Sequence, residues 1–217
     1  MTSTDTVILV HGIWFHGVSM VAVKLRLEKE HGFDARLFNY PSVSGSLDEN
    51  AGRLKDYIRD QGLEAAHLIG HSLGGVIALR MYALYEDAVP GRVVALGAPL
   101  TGSRAAKFLH TQNWGKPILG QSLPAGVVHE PANKWASHVC AQRDVGVIAG
   151  TVPYGVGRLV TSFDGDNDGT VAVDETRIDG AKDHICMPVS HTSMLMSAEV
   201  VDQAVAFLRR GEFLREP

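Results

Sequence analysis

Short, unbroken apolar runs punctuate this chain, and between them apolar positions recur every three or four residues. Val7-Ile-Leu-Val10 is continuous, β-branched and bounded by His11-Gly12, so it predicts a strand buried on both faces. Residues 18–31 predict a helix that stops at Gly32, and Ala35–Tyr40 a second strand ending before Pro41. Ser46-Leu-Asp-Glu49 has the spacing of a capping box, and Leu47, Ala51, Leu54 and Ile58 then stripe a helix ending near Gly62. His67–Gly70 is a third strand, and after Ser72-Leu-Gly-Gly75 an apolar helix runs to about Glu86. Arg92–Leu96, Asp144–Ala149 and His184–Val189 predict three more strands. Val201, Ala204, Val205 and Leu208 stripe a closing helix that stops near Gly211.

Strands that are apolar throughout and separated by helices imply a mostly parallel sheet covered on both faces. The expected class is therefore α/β, doubly wound. No repeat or linker divides the chain, and its 217 residues suit one domain spanning 1–217. One stretch breaks the alternation. From about 103 to 142 the pattern is irregular and rich in Gly, Pro, His and Trp, which predicts a cap-like insertion above the ligand-binding edge of the sheet.

Composition narrows the function classes without choosing among them. Apolar residues make up 45% and charged residues 20%, the balance of an ordinary globular protein rather than a disordered one. The net charge of −4 offers no basic surface for nucleic acid, and no apolar run approaches the roughly 20 residues of a membrane span. The first basic residue is Lys24, so the positive start of a secretory signal is missing and a cytoplasmic protein is expected. The two cysteines, Cys140 and Cys186, are expected to be reduced thiols packed as small hydrophobes.

Chemistry enters with Gly70-His-Ser-Leu-Gly74, a Gly-x-Ser-x-Gly pentapeptide between a predicted strand and a predicted helix. That is the setting of a nucleophile elbow, a turn too tight for side chains beside the serine. It would expose the Ser72 hydroxyl at the carboxyl end of the strand, against the positive end of the helix dipole. Together with Val10-His-Gly-Ile13 after the first strand and Gly97-Ala-Pro-Leu-Thr-Gly-Ser103 after a later one, the motif resembles the α/β-hydrolases, and among them small bacterial lipases and esterases. The resemblance covers the chain except 104–142.

A serine nucleophile needs a base, and in this fold the acid and then the histidine follow the serine along the chain. Of the ten histidines, His191 in Val189-Ser-His-Thr-Ser193 stands after the last strand and before the closing helix, where the family places its base. For the acid, Asn167-Asp-Gly-Thr-Val171 resembles the lipase pattern and marks Asp168. Asp166 is the fallback, and Asp174 and Asp179 are further alternatives. The same fold implies an oxyanion hole from the backbone N–H groups of Ile13 and Leu73, with His11 shaping the loop. Trp14 and Phe15 either line an acyl pocket or pack that loop.

A competing pattern overlaps the acid. Asp164, Asp166, Asp168, Gly169, Val171 and Glu175 fall at the ligand spacing of an EF-hand calcium loop. The flanks are Gly-broken on one side and strand-like on the other, so the paired helices are lacking and no metal is expected. The resemblance thus implies a cofactor-free serine hydrolase acting on small-molecule or lipid esters. An acyltransferase or thioesterase using the same residues, or a binding protein that keeps only the scaffold, are the other readings.

Overall fold

The computed structural model describes residues 5–112, 119–124, 128, 131–155 and 165–215. Six strands form one sheet: β1 (Thr6–Val10), β2 (Asp34–Phe38), β3 (His67–His71), β4 (Val93–Leu96), β5 (Val145–Gly150) and β6 (Asp183–Met187). Their spatial order is β2-β1-β3-β4-β5-β6, and every adjacent pair is parallel. These are the six apolar runs of the sequence, with ends within two residues of those expected. Parallel neighbours need crossovers. Those are supplied by α1 (Val21–His31), α2 (Leu47–Asp60), α3 (Leu73–Leu84) and, between β4 and β5, α4 (Arg104–Thr111) and α5 (Ser137–Gln142). Helix α6 (Ala198–Arg210) closes the fold after β6.

Alternate residues of the buried strands feed two separate cores. Ile8, Val10, Leu68, Val93, Ala95, Val145 and Val147 face α2 and α3, while Val7, Leu9, Ile69, Val94, Leu96 and Ile148 face α1 and α6. The predicted capping box is present at α2: Ser46 Oγ accepts from Glu49 N and Glu49 Oε2 accepts from Ser46 N. Strand β6 departs from the expectation of full burial, because it is the outer strand and only half covered. Cys186 lies on it and is exposed rather than packed, while Cys140 is half-buried; both are unpaired.

The described parts of 103–142 carry regular structure that their sequence does not suggest. Ser103 Oγ caps α4 by accepting from Ala106 N at 3.1 Å, and Leu119, Ala132, Ala136 and Val139 join the core on the α2 and α3 side. Helices of eight and six residues are too short to display a 3.6-residue period, which is why the segment reads as irregular. No described helix is long and apolar enough to cross a membrane.

The strand order reverses direction around β1. In open α/β sheets ligands bind beyond the carboxyl ends of the strands at such a switch point. Here the chain leaving β1 carries His11 to His16, and the chain leaving β3 carries Ser72.

Candidate active site

Ser72 occupies the single residue between β3 and α3, with φ 53° and ψ −123°. Such a conformation costs a non-glycine residue about 1–3 kcal/mol and persists only where surroundings enforce it. Ser72 N donates to Leu96 O at 2.8 Å and Ser72 O accepts from Gly75 N at 3.0 Å. The glycines of the pentapeptide permit the crossing. A methyl group on Gly70 would lie 2.5 Å from the backbone of Gly74, and one on Gly74 would lie 2.1 Å from Val10 O. Leu73, directly after Ser72, opens α3.

The β1 loop is held against this turn. Buried His11 stacks on the Tyr40 ring at 4.3 Å, and Tyr40 Oη donates to His11 O at 2.7 Å. Burial lowers the His11 pKa and raises that of Tyr40, so both rings stay neutral. Gly12 then passes so close that a methyl group there would sit 3.2 Å from both Ser72 Cβ and His71 Nδ1. Ile13 follows, buried, and next comes Trp14 at φ 62°. Among the described residues only Ser72 and Trp14 are non-glycine residues with positive φ, and both lie on these two loops. Trp14 is 47% exposed and Phe15 37%, with the Phe15 ring edge-on to His71 at 6.5 Å.

Asp168 and His191, 23 positions apart, meet. His191 Nδ1 and Asp168 Oδ2 are 2.7 Å apart, and His191 N donates to Asp168 O at 2.9 Å. Asp168 is fully buried, which a carboxylate tolerates only when its lone pairs are filled. Its Oδ1 accepts from Thr170 N at 2.9 Å and Val171 N at 2.7 Å. Two glycines at the ends of neighbouring strands leave the space. A methyl group on Gly97 would lie 3.0 Å from Asp168 Oδ2, and one on Gly150 would lie 2.7 Å from Asp168 Cβ.

The His191 ring packs 4.7 Å from the ring of His71, the residue before Ser72, and His71 Nε2 lies 2.9 Å from His191 O. Among the described residues no hydrogen bond joins Ser72 Oγ to His191 Nε2. Contacts of this kind commonly tighten only when substrate is bound.

The other expectations sort themselves by position. Asp166 and Asp179 are exposed, and Asp174 pairs with Arg104, so of the named acids Asp168 is the one joined to His191. Asp164 lies outside the described residues. Two members of the calcium-like spacing are engaged elsewhere: Glu175 accepts from Ala172 N and Arg104 N, at 2.9 and 2.5 Å, and Asp168 from the donors above. Among the described residues no three His, Cys, Asp or Glu side chains converge as metal ligands. His184 bonds Thr176 Oγ1 and His67 accepts from Arg92 N, both away from Ser72. Sequence reasoning gave no role to His71 or Gly150, and used Gly97 only as part of the motif after the fourth strand. The only signal for His71 was its place inside the pentapeptide, at a position the motif leaves free.

A sequence profile described as the Alpha/beta hydrolase family matches residues 7–207. No curated protein matches the chain in sequence. Among solved structures, the mature lipase BlEst2 of Bacillus licheniformis superposes with a TM-score of 0.72 at 19% identity, covering 98% of this chain and 94% of that one. Carboxylesterase CesB (YbfK) of Bacillus subtilis gives 0.63 at 16% identity, covering 98% and 86%. A meta-cleavage product hydrolase of Pseudomonas fluorescens IP01 (CumD) gives 0.60 at 15% identity, covering 96% and 92%. These likenesses are of fold.

Proposed function

Because the chain belongs to the alpha/beta hydrolase family, we propose that it is a serine esterase cleaving carboxylic esters with apolar acyl chains. Ser72 Oγ bonds to the ester carbonyl carbon while His191 Nε2 takes the hydroxyl proton. Asp168 holds the imidazole in the tautomer with Nδ1–H and stabilises the imidazolium that forms. The carbonyl oxygen becomes an oxyanion that accepts from the N–H groups of Ile13 and Leu73. As the C–O bond to the leaving group breaks, His191 returns the proton to the departing alcohol, leaving an acyl group on Ser72. Water, deprotonated by His191, attacks this acyl-enzyme, and the proton returns to Ser72 as the acid leaves. No step calls on a metal or an organic cofactor.

The observation that carries this reading is the buried Asp168–His191 pair, its carboxylate fully engaged, beside a serine held in a strained turn. Support for an apolar acyl group comes from Trp14 and Phe15 next to the turn, as substrate-binding side chains. Val18, Tyr154 and Met196 are further exposed apolar residues on the segments that follow β1, β5 and β6. The test is a series of p-nitrophenyl esters of increasing chain length, run below and above each solubility limit, with an acceptor alcohol or thiol in parallel. Turnover that rises from acetate to longer chains and yields free acid supports an esterase. Transfer to the acceptor in preference to water would make it a transferase, and no turnover of any ester by folded protein would reject the reading.

A further inference from the structure

His71 ends β3 and is almost wholly buried, on the sheet face that carries Ile69 and Leu96 toward α1 and α6. A carbonyl oxygen only accepts, so the 2.9 Å contact with His191 O fixes the proton of the neutral imidazole on Nε2. Its other nitrogen, Nδ1, is buried without a partner against Gly12 of the β1 loop. A histidine kept only to fill space would be better replaced by an apolar side chain, because an unpartnered buried nitrogen costs about 1–3 kcal/mol.

What this histidine does reach is the backbone of His191. Among the described residues, His191 is otherwise hydrogen-bonded only to Asp168, through its own N–H and its Nδ1. Those two bonds set how far His191 stands from the acid; they leave its approach toward Ser72 open. The third tie comes from the residue covalently joined to Ser72. We propose that His71 is a positioning residue, whose Nε2–H clamps the His191 carbonyl and so sets the imidazole of His191 relative to the Ser72 hydroxyl. The inference rests on the acyl-transfer reading above. It also accounts for the tolerance of an unfilled Nδ1: burial drives the His71 pKa down to about 3, so the ring beside His191 brings no second positive charge when His191 becomes an imidazolium.

The test compares wild type with His71→Leu, which fills the space without a donor, and His71→Gln, whose amide places a donor near the Nε2 position. Misplacement of reacting groups by about 1 Å costs on the order of 100-fold, so His71→Leu is expected to lower kcat for a p-nitrophenyl ester about 10–100-fold. KM stays near the wild-type value, and His71→Gln recovers most of the loss. In proton spectra the far-downfield Nδ1–H resonance of His191 should persist in His71→Gln and shift or broaden in His71→Leu. Folded His71→Leu with wild-type kcat and an unmoved resonance overturns the proposal, as does a His71→Gln variant as impaired as His71→Leu. If His71→Leu does not fold, His71→Asn takes its place, because its shorter amide mimics Nδ1 and leaves the His191 carbonyl unbonded; equal activity of the Asn and Gln variants then overturns it. Labelling of Ser72 by a fluorophosphonate is measured first on wild type. Failure there rejects the acyl-transfer reading itself, whereas labelling with an unaffected His71→Leu rejects only the role of His71.

Discussion

Gly97→Ala puts a single methyl group against the Asp168–His191 contact. Gly97 follows β4 with φ 55°, its N–H donating to Ile148 O at 2.9 Å. The new methyl would stand 3.0 Å from Asp168 Oδ2, 3.1 Å from Met194 Cε and 3.2 Å from His191 Nδ1. Met194 Cε is the end of a flexible side chain and can swing away. The other two atoms are the partners of one 2.7 Å hydrogen bond, and Asp168 is further held by Thr170 N and Val171 N. Relief therefore has to stretch or tilt that bond by a few tenths of an ångström. Since a full ångström costs on the order of 100-fold, a loss of about 10-fold in kcat is expected, with KM little changed. The left-handed backbone adds about 1–2 kcal/mol of instability in an alanine. At about 2–4 °C per kcal/mol for a chain of this size, Tm should fall by about 2–8 °C. Gly32→Ala is the control: φ is 75° and nothing lies within 4 Å of the added methyl, so it carries the backbone strain alone. The assay is kcat and KM on a p-nitrophenyl ester well below both melting points, beside calorimetry. If both variants lose stability equally and Gly97→Ala keeps full kcat, the Asp168–His191 contact is not part of the chemistry.

Asp168→Asn should lower kcat by up to about 10⁴-fold, because an amide favours the wrong tautomer of His191. Neither excess calcium nor EDTA should alter wild-type or variant rates, and exposed Asp166→Asn should stay within a few-fold of wild type; equal damage from both substitutions, matched by EDTA on wild type, would instead make this a metal site. Stability should fall with acidification below neutrality. Burial lowers His67 to about 4 and His71 to about 3, so below pH 6.5 the unfolded chain binds protons that the folded one refuses. Their contribution is complete above pH 6.5 and is lost as pH falls toward 4 and then 3. At pH 5 each is about 1.5 pH units below its unfolded pKa, so the two together cost about 4 kcal/mol. Urea unfolding at pH 7.5 and pH 5 measures this, and undiminished stability at pH 5 would mean that these histidines are charged in the native state.

Much of the sheet was legible because parallel strands buried on both faces leave uninterrupted apolar runs, as Val7–Val10 and Val145–Ile148 do. The capping box at Ser46 and the stops at Gly32 and Gly211 were legible because they are local: the residues that satisfy the helix ends sit within three or four positions of each other. Long-range properties were not. Cys186 reads like a core residue until β6 is known to be the outer strand. The Asp164 to Glu175 spacing suits a cation as well as an acid loop, because spacing does not say which way carboxylates point. Those of Asp168 and Glu175 turn inward onto backbone N–H groups. Gly97 and Gly150 matter for what their missing side chains leave room for, and that is visible only once residues 168 and 191 have been brought beside them.

In the proposed cycle Ser72 becomes covalently acylated during turnover. Intact-mass measurement of the protein mixed with a p-nitrophenyl ester and quenched in acid within the first turnovers, followed by peptide mapping, detects that acyl group. One acyl group per chain is expected on the peptide carrying Ser72, absent in folded Ser72→Ala, whose ester turnover is nearly abolished. Ester cleavage with no acyl adduct, or an adduct that persists in Ser72→Ala, would contradict it.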